Sequence, residues 1–267
     1  PVINQIGVDT QNEVVKEEKR LRVDNQPYGN MFTEVKRNLF KKHPYRWAPI
    51  GSMEHLDAAT LEEFKAFNKK FYVPNNAVLV IAGDIDYKQT KDLVQKYFGN
   101  IKKGAKVERV NIQEDPITKP IVAEYQDPNI QLPMYITAYR TPSNKTRDAR
   151  VLDMISSILS GGKSSRLHKK IVDDKKMALQ VAAFSQGQED YGMYIILGIP
   201  MQGFTRDQIQ TEIDAEIKDL QTNLISERDY QKLQNEFENS YVNSNSDLES
   251  LAENLATYYL LYGDINL

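Results

Sequence analysis

The spacing of apolar side chains changes several times along the chain, and each change marks an element. From Asn12 to Asn25 it is helical. At about 100° per residue, Val14, Glu18 and Leu21 fall on one face, with Gln11 and Asn25 a turn or two away on the same stripe. Glu13, Lys16, Lys19 and Arg20 point away, and Glu17 flanks the apolar face within reach of water. A carboxylate, Glu18, thus stands where a core residue is expected, and ionised Glu is rarely buried unless a cation or hydrogen bonds compensate it.

Beyond a turn-rich stretch at 24–29, Met31 to Phe40 reads as a second amphipathic helix, ending before His43-Pro44. Thr60 and Glu63 form a capping-box pattern opening a helix with Leu61, Phe64, Phe67 and Phe71 at helical spacing. Ala77 to Ala82 is an apolar run of strand length, predicted as a strand buried on both faces. Asp86 and Gln89 open a further helix through Phe98. Periodicity is then lost from Ile101 to Pro120, which places a linker at 106–120 between a unit spanning 1–105 and one spanning 121–267.

In the second unit, Ile121 to Gln126 and Gln131 to Tyr139 are predicted strands, followed by a helix from Arg147 to Leu159 with Val151, Met154, Ile155 and Ile158 inward. Ser164 to Lys175 continues as helix, and Ala178 to Phe184 and Tyr191 to Ile199 form a hairpin through 186–190. Helices over 206–222, 227–243 and 248–261 close the chain, the first two with N-caps at Thr205 and Ser226. Helices, a strand, a helix, then strands with helices is the order of an α+β protein and not of regular βα alternation.

Composition narrows the function. With 34 basic and 37 acidic residues among 267, the net charge of −3 gives no electrostatic reason to expect nucleic acid or an anionic membrane as partner. No apolar run approaches the length that spans a bilayer. The absence of cysteine excludes disulfides and thiolate metal sites but leaves the compartment open. The three histidines, His43, His55 and His168, form no i, i+4 pair, so each reads as a surface or packing residue. Gly161-Gly-Lys-Ser164 invites a phosphate-loop reading, but the pattern needs Gly at 157, where Ser157 stands, and a phosphate loop follows a strand where here a helix precedes. A glycine-rich turn between helices is the better reading. For Glu18 two readings remain, an ion pair with an arginine of a neighbouring helix or a metal ligand.

The stretch from Glu13 to Asn25 resembles the third-ligand helix of the insulinase/pitrilysin family, the inverted zincins. His43-Pro-Tyr, Pro49-Ile-Gly-Ser52, Phe71 to Asp84, and Ser160-Gly-Gly-Lys-Ser-Ser-Arg-Leu167 resemble that family's signatures in the family's order. The resemblance implies two α+β units, each a sheet covered by helices, the first of them incomplete. It implies Zn²⁺ held by two histidines of an H-x-x-E-H segment and by a downstream Glu, which matches Glu18. Gln11 stands where many relatives carry an acidic residue supporting that ligand.

Three departures from the family matter. No H-x-x-E-H occurs here, and the chain begins at Pro1 without an initiating Met, so it reads as a piece of a longer protein, with the general base and both His ligands outside it. At Val172 and Leu179 the family's arginine and tyrosine for substrate and oxyanion are missing, which implies a homologous partner subunit carrying that pair. Gln11 lacks the charge of its acidic counterparts. The resemblance thus implies a zinc-dependent metallopeptidase cleaving peptides in an enclosed chamber, inactive as this stretch alone. The other reading is a non-catalytic scaffold or binding subunit of the same fold. A nucleotide-binding protein is a third.

Overall fold

The computed structural model describes residues 2–109 and 111–266; residues 1 and 110 and the terminal 267, which the unit boundaries above include, lie outside the described residues. In chain order the helices and strands are α1 (Gln5–Lys19) running into a π-helical turn (Arg20–Asp24), α2 (Met31–Leu39), α3 (Met53–Ala58), α4 (Leu61–Phe71), α5 (Tyr87–Phe98), β1 (Tyr135–Pro142), α6 (Arg147–Ser160), a second π-helical segment (His168–Asp174), β2 (Ala178–Gly187), β3 (Tyr191–Pro200), α7 (Arg206–Thr222), α8 (Glu227–Ser244) and α9 (Leu248–Tyr262). They group into two compact units, Pro1–Asn129 with Asp247–Leu267, and Ile130–Ser246. Residues 106–120 fall within the first unit, and the chain passes between the units at Asn129–Ile130 and again at Ser246–Asp247, so the closing helix, expected in the second unit, groups with the first.

The second unit is built on a three-stranded antiparallel sheet in the order β1-β3-β2. β3 lies at its centre, pairing with β1 from Tyr135↔Gly198 to Pro142↔Tyr191 and with β2 through a hairpin closed at Gly187↔Gly192. Period 2 sends Tyr194 and Ile196 to one face, where they join Leu159, Leu167, Ile171, Ile209 and Ile213 in a single cluster. Met193, Ile195 and Leu197 on the alternate positions are buried as well. A run buried on both faces suits a central strand. The outer edge of β2 is closed by α6, whose last residue, Ser160, accepts from the Ala183 N–H (2.8 Å) and donates to the Ala183 carbonyl (2.6 Å).

Lys170, Lys175 and Arg166, on or beside the π-helical segment, form an ion-pair network with Glu212, Glu216 and Asp219 of α7. Lysine-to-carboxylate hydrogen bonds, that from Lys175 foremost and that from Lys170 next, hold the Glu212 carboxyl below its usual range. The Asn223 amide first, and then Arg166, do the same for Asp219. The Glu216 carboxylate, with Glu212, raises Lys170.

The first unit carries little apolar core. Val8, Leu39 and Phe40 are its buried apolar side chains among the described residues. Thr60 and Glu63 form the expected reciprocal capping box of α4, and Asp86 caps α5 through the Gln89 N–H. Two predicted strands are absent. Ala77–Ala82 and Ile121–Gln126 have no ladder partner among the described residues and leave Leu79, Ile81, Val122 and Tyr125 exposed. An apolar run becomes a strand only where another edge supplies its hydrogen bonds, and none does so here. The strand expected at 131–139 begins later, at Tyr135.

Two outcomes test this account of the second unit. Leu159, wholly buried, should cost about 3 kcal/mol as Leu159→Ala in urea unfolding followed by circular dichroism; an unchanged midpoint would remove it from the core. The depressed carboxyls give stability that is present above their ordinary values of 4.5 and 3.8 and lost as pH falls through their lower folded values, while raised Lys170 gives stability present below 10.5 and lost as pH rises through its folded value. The melting temperature should therefore be steady between these limits and fall on strong acidification. Lys170→Met should flatten the acid limb, and an equally steep limb in the variant would contradict the assignment.

Candidate metal-ligand helix

Helix α1 begins at Asn4, whose side-chain oxygen accepts from the Gly7 N–H (2.8 Å). It carries two apolar stripes about 100° apart, one through Val8 and Val15 and one through Val14 and Leu21. The structure buries the first. Val8 is 5% exposed, Asn12 donates to the Leu56 carbonyl (3.1 Å), and Lys16 is ion-paired with both Glu13 and Asp57, which turns this side of α1 towards α3. The Asp57 and Glu13 carboxylates, Asp57 foremost, push the Lys16 ammonium above its usual value.

The stripe bearing Glu18 is therefore not the inward face that its periodicity suggests. Val14 is 51% and Leu21 62% exposed, Gln11 lies in solvent, and the Glu18 side chain is 42% exposed. The physical reason is the ion pair to Asp57, which selects between two stripes that hydrophobicity alone leaves nearly equivalent. Glu18 faces Arg22 Nε at 3.3 Å, so its cation comes from its own helix and not from a neighbouring one. Glu17 pairs with Arg20 on the outer surface.

Past Glu18 the helix widens. The Asn25 N–H reaches back five residues to the Arg20 carbonyl (2.9 Å), and Lys19 and Asp24, also five apart, meet at 2.6 Å. The chain then turns back on itself through Tyr28, whose φ of 61° is left-handed, and Gly29, where a Cβ would collide with the Val23 carbonyl oxygen.

The other sequence candidates are dispersed. His43 is 2% exposed, with its ring centroid 4.2 Å from that of Tyr45. His55 is exposed on α3, and His168 lies 3.6 Å from Asp173. Among the described residues no group of three or more His, Asp or Glu is placed to hold a metal ion, so the most that Glu18 could offer zinc is one carboxylate donor, and this chain's residues do not complete a site. Val172 packs against the sheet cluster and Leu179 is exposed on β2, so neither position offers a cation or hydroxyl. Gly161-Gly-Lys-Ser164 follows α6 as a turn with Gly162 at φ 88°, and the Ser164 hydroxyl accepts from Lys232 (3.2 Å). What the sequence reading missed is the π-helical widening beside Glu18. Its one visible signal was Pro-Tyr-Gly at 27–29.

The chain matches the family model described as Peptidase M16 inactive domain over residues 58–237, more than half its length. It belongs to the M16 peptidases, the insulinase/pitrilysin type. It is 28% identical over 265 residues to the zinc protease PqqE of Helicobacter pylori, covering 96% of this chain and 58% of that protein. A crystal structure of a protease from Helicobacter pylori superposes with a TM-score of 0.80 at 25% identity, over 97% of this chain and 63% of that one. The peptidase M16 inactive domain from Pseudomonas fluorescens shares the fold with a TM-score of 0.80 at 14% identity, over 99% and 62%. The chain thus spans about three fifths of the relatives' length. Mixed helices with a small antiparallel sheet are the architecture they share, and among the described residues no helix is long and apolar enough to cross a membrane.

Gly29→Ala should destabilise the first unit by about 3 kcal/mol, since the added methyl meets a backbone oxygen and not a flexible side chain. Urea unfolding checks this, and an unchanged midpoint would show that the turn relaxes freely.

Proposed function

We propose that the intact protein is a zinc-dependent metallopeptidase cleaving peptides in an enclosed chamber, and that this chain supplies its third zinc ligand, Glu18. The two histidine ligands and the general base come from outside this sequence. When bound, zinc acidifies a water for attack on a peptide carbonyl. Glu18's part would be to hold one coordination position with a carboxylate on the last turn of α1.

The observation that carries this reading is the state of the Glu18 face. A carboxylate sits between Val14 and Leu21, both more than half exposed, and its partner Arg22 is itself 78% exposed. An exposed pair four residues apart contributes only ~0.3–0.5 kcal/mol, so a metal can displace it. The relatedness to PqqE, named as a zinc protease, supports the same reading, and Gln11 on the same stripe would reach a ligand only as a neutral hydrogen-bonding group.

A homologous subunit carrying an Arg/Tyr pair completes the chamber, because Val172 and Leu179 cannot stabilise an oxyanion. The second reading, a non-catalytic scaffold of the same fold, is favoured by that same lack and by the match to an inactive-domain model. Zinc analysis of the full-length protein after dialysis separates the two. Near one zinc per chain, lost in Glu18→Gln, is the expected result; equal zinc in both would remove Glu18 from the site, and none in either would leave the scaffold.

A further inference from the structure

Glu18 lies within one turn of the place where its helix becomes π-helical, and that place is held from about a hundred residues away in sequence. Asp127 accepts the Tyr28 N–H on Oδ2 (2.9 Å) and the Asn129 N–H on Oδ1 (2.9 Å). Asn129 in turn donates its side-chain amide to the carbonyl of Asp24 (2.8 Å), the last residue of the π-helical turn. One Asx turn therefore grips both ends of the reversal from Asp24 to Tyr28.

The grip acts on backbone that would not hold this shape unaided. A non-glycine residue at φ 61° is disfavoured by about 1 kcal/mol or more, and π-helical turns are rare except where surrounding contacts impose them. Gly29 allows the close approach to Val23, and the Asp24 side chain ties back to Lys19, next to Glu18. A chain of contacts thus runs from Asp127 and Asn129 through Asp24 to the last α-helical turn, where Glu18 is presented. Asp127 and Asn129 are also the final residues before the second unit begins at Ile130.

We infer that Asp127 and Asn129 are positioning residues, which fix the π-helical end of α1 and so set the direction of the Glu18 carboxylate. The inference rests on Glu18 being the zinc ligand. Without the clamp, Tyr28 leaves its left-handed conformation, the π-helical turn unwinds from Asp24, and the ligand helix frays towards Glu18. The hydrogen bonds of both residues go to the Asp24–Tyr28 reversal and to each other, so each would act on zinc only through Glu18.

The test uses full-length protein and zinc alone, with affinity measured by chelator competition and amide exchange measured across 20–29. Asp127→Ala and Asn129→Ala should each raise the zinc dissociation constant about 10-fold, as loss of a ligand's support does, and speed exchange at Asn25 and Tyr28. Asp127→Asn keeps one acceptor oxygen and should fall between wild type and Asp127→Ala. A purely structural role would lower the melting temperature but leave zinc affinity of the folded protein unchanged. If Glu18→Gln weakens zinc binding while Asp127→Ala and Asn129→Ala bind as wild type, the positioning role is overturned and the Glu18 assignment stands. If Glu18→Gln itself binds as wild type, the assignment fails and the positioning role fails with it. Should Asp127→Ala not fold, Asn129→Ala carries the same decision, because it removes only the contact to the Asp24 carbonyl.

Discussion

Burial of β3 between β1 and β2 is the constraint on which the second unit depends. Five consecutive side chains, Met193 to Leu197, are out of water, so neither face of the strand can tolerate a shift of register. Every helix that packs there answers to the strand. Leu159 and Ser160 place the end of α6 against β2, and Ile209 and Ile213 align α7. The lysine and arginine ends of the His168–Asp174 region meet the acidic stripe of α7 only because the core has already set their spacing. These ion pairs therefore refine an arrangement that apolar burial has decided.

The first unit lacks that kind of constraint, with three buried apolar side chains among its described residues. Polar clamps between distant parts of the chain hold it instead. Glu114 accepts the N–H groups of Lys41, Lys42 and His43 at 2.8, 2.6 and 2.6 Å, Asn75 holds Gly104, Lys16 holds Asp57, and Asp127 holds Tyr28. A net gain of about 1 kcal/mol for an ordinary hydrogen bond cannot offset the chain entropy that an apolar core would otherwise compensate. The exposed Leu79, Ile81, Val122 and Tyr125, and the open Val14 and Leu21, thus leave apolar area in water that the first unit does not bury.

This asymmetry explains what could be read from the sequence. Capping patterns at Thr60, Asp86, Thr205 and Ser226 are local, depend on a few neighbouring residues, and all appear in the structure. The hairpin at 186–190 and the helices α6, α7 and α8 were legible for the same reason, since their partners lie within the second unit, whereas the segment at 168–174, read as ordinary helix, is π-helical. Ala77–Ala82 and Ile121–Gln126 have strand composition but no edge to pair with, and composition cannot report a missing neighbour. For α1 the periodicity was right and the choice of face was wrong. Two valine-containing stripes compete there, and the tie is broken by Asp57, forty-one residues from Lys16. The π-helical widening had only the Pro-Tyr-Gly turn at 27–29 as a signal, because it goes with the Gly29 contact and the clamp at Asp127 and Asn129, neither of which has a periodic signature.

The two readings of Glu18 differ in what must happen to Arg22. If additional structure covers Val14 and Leu21, the carboxylate between them loses water, and an ion stripped of water costs several kcal/mol unless a compensating charge arrives. In a scaffold, the compensation at hand is Arg22, which must then fold inward from 78% exposure and satisfy its remaining donors in the same interface. In a metal site, Glu18 would be one ligand of Zn²⁺, whose charge would supply the compensation, and Arg22 would stay in solvent. The second route asks less of the helix. Glu18 keeps its present backbone position, and the guanidinium gives up only a weak contact at 3.3 Å. A purely apolar cover over Glu18 is unfavourable unless one of these two positive charges compensates the carboxylate.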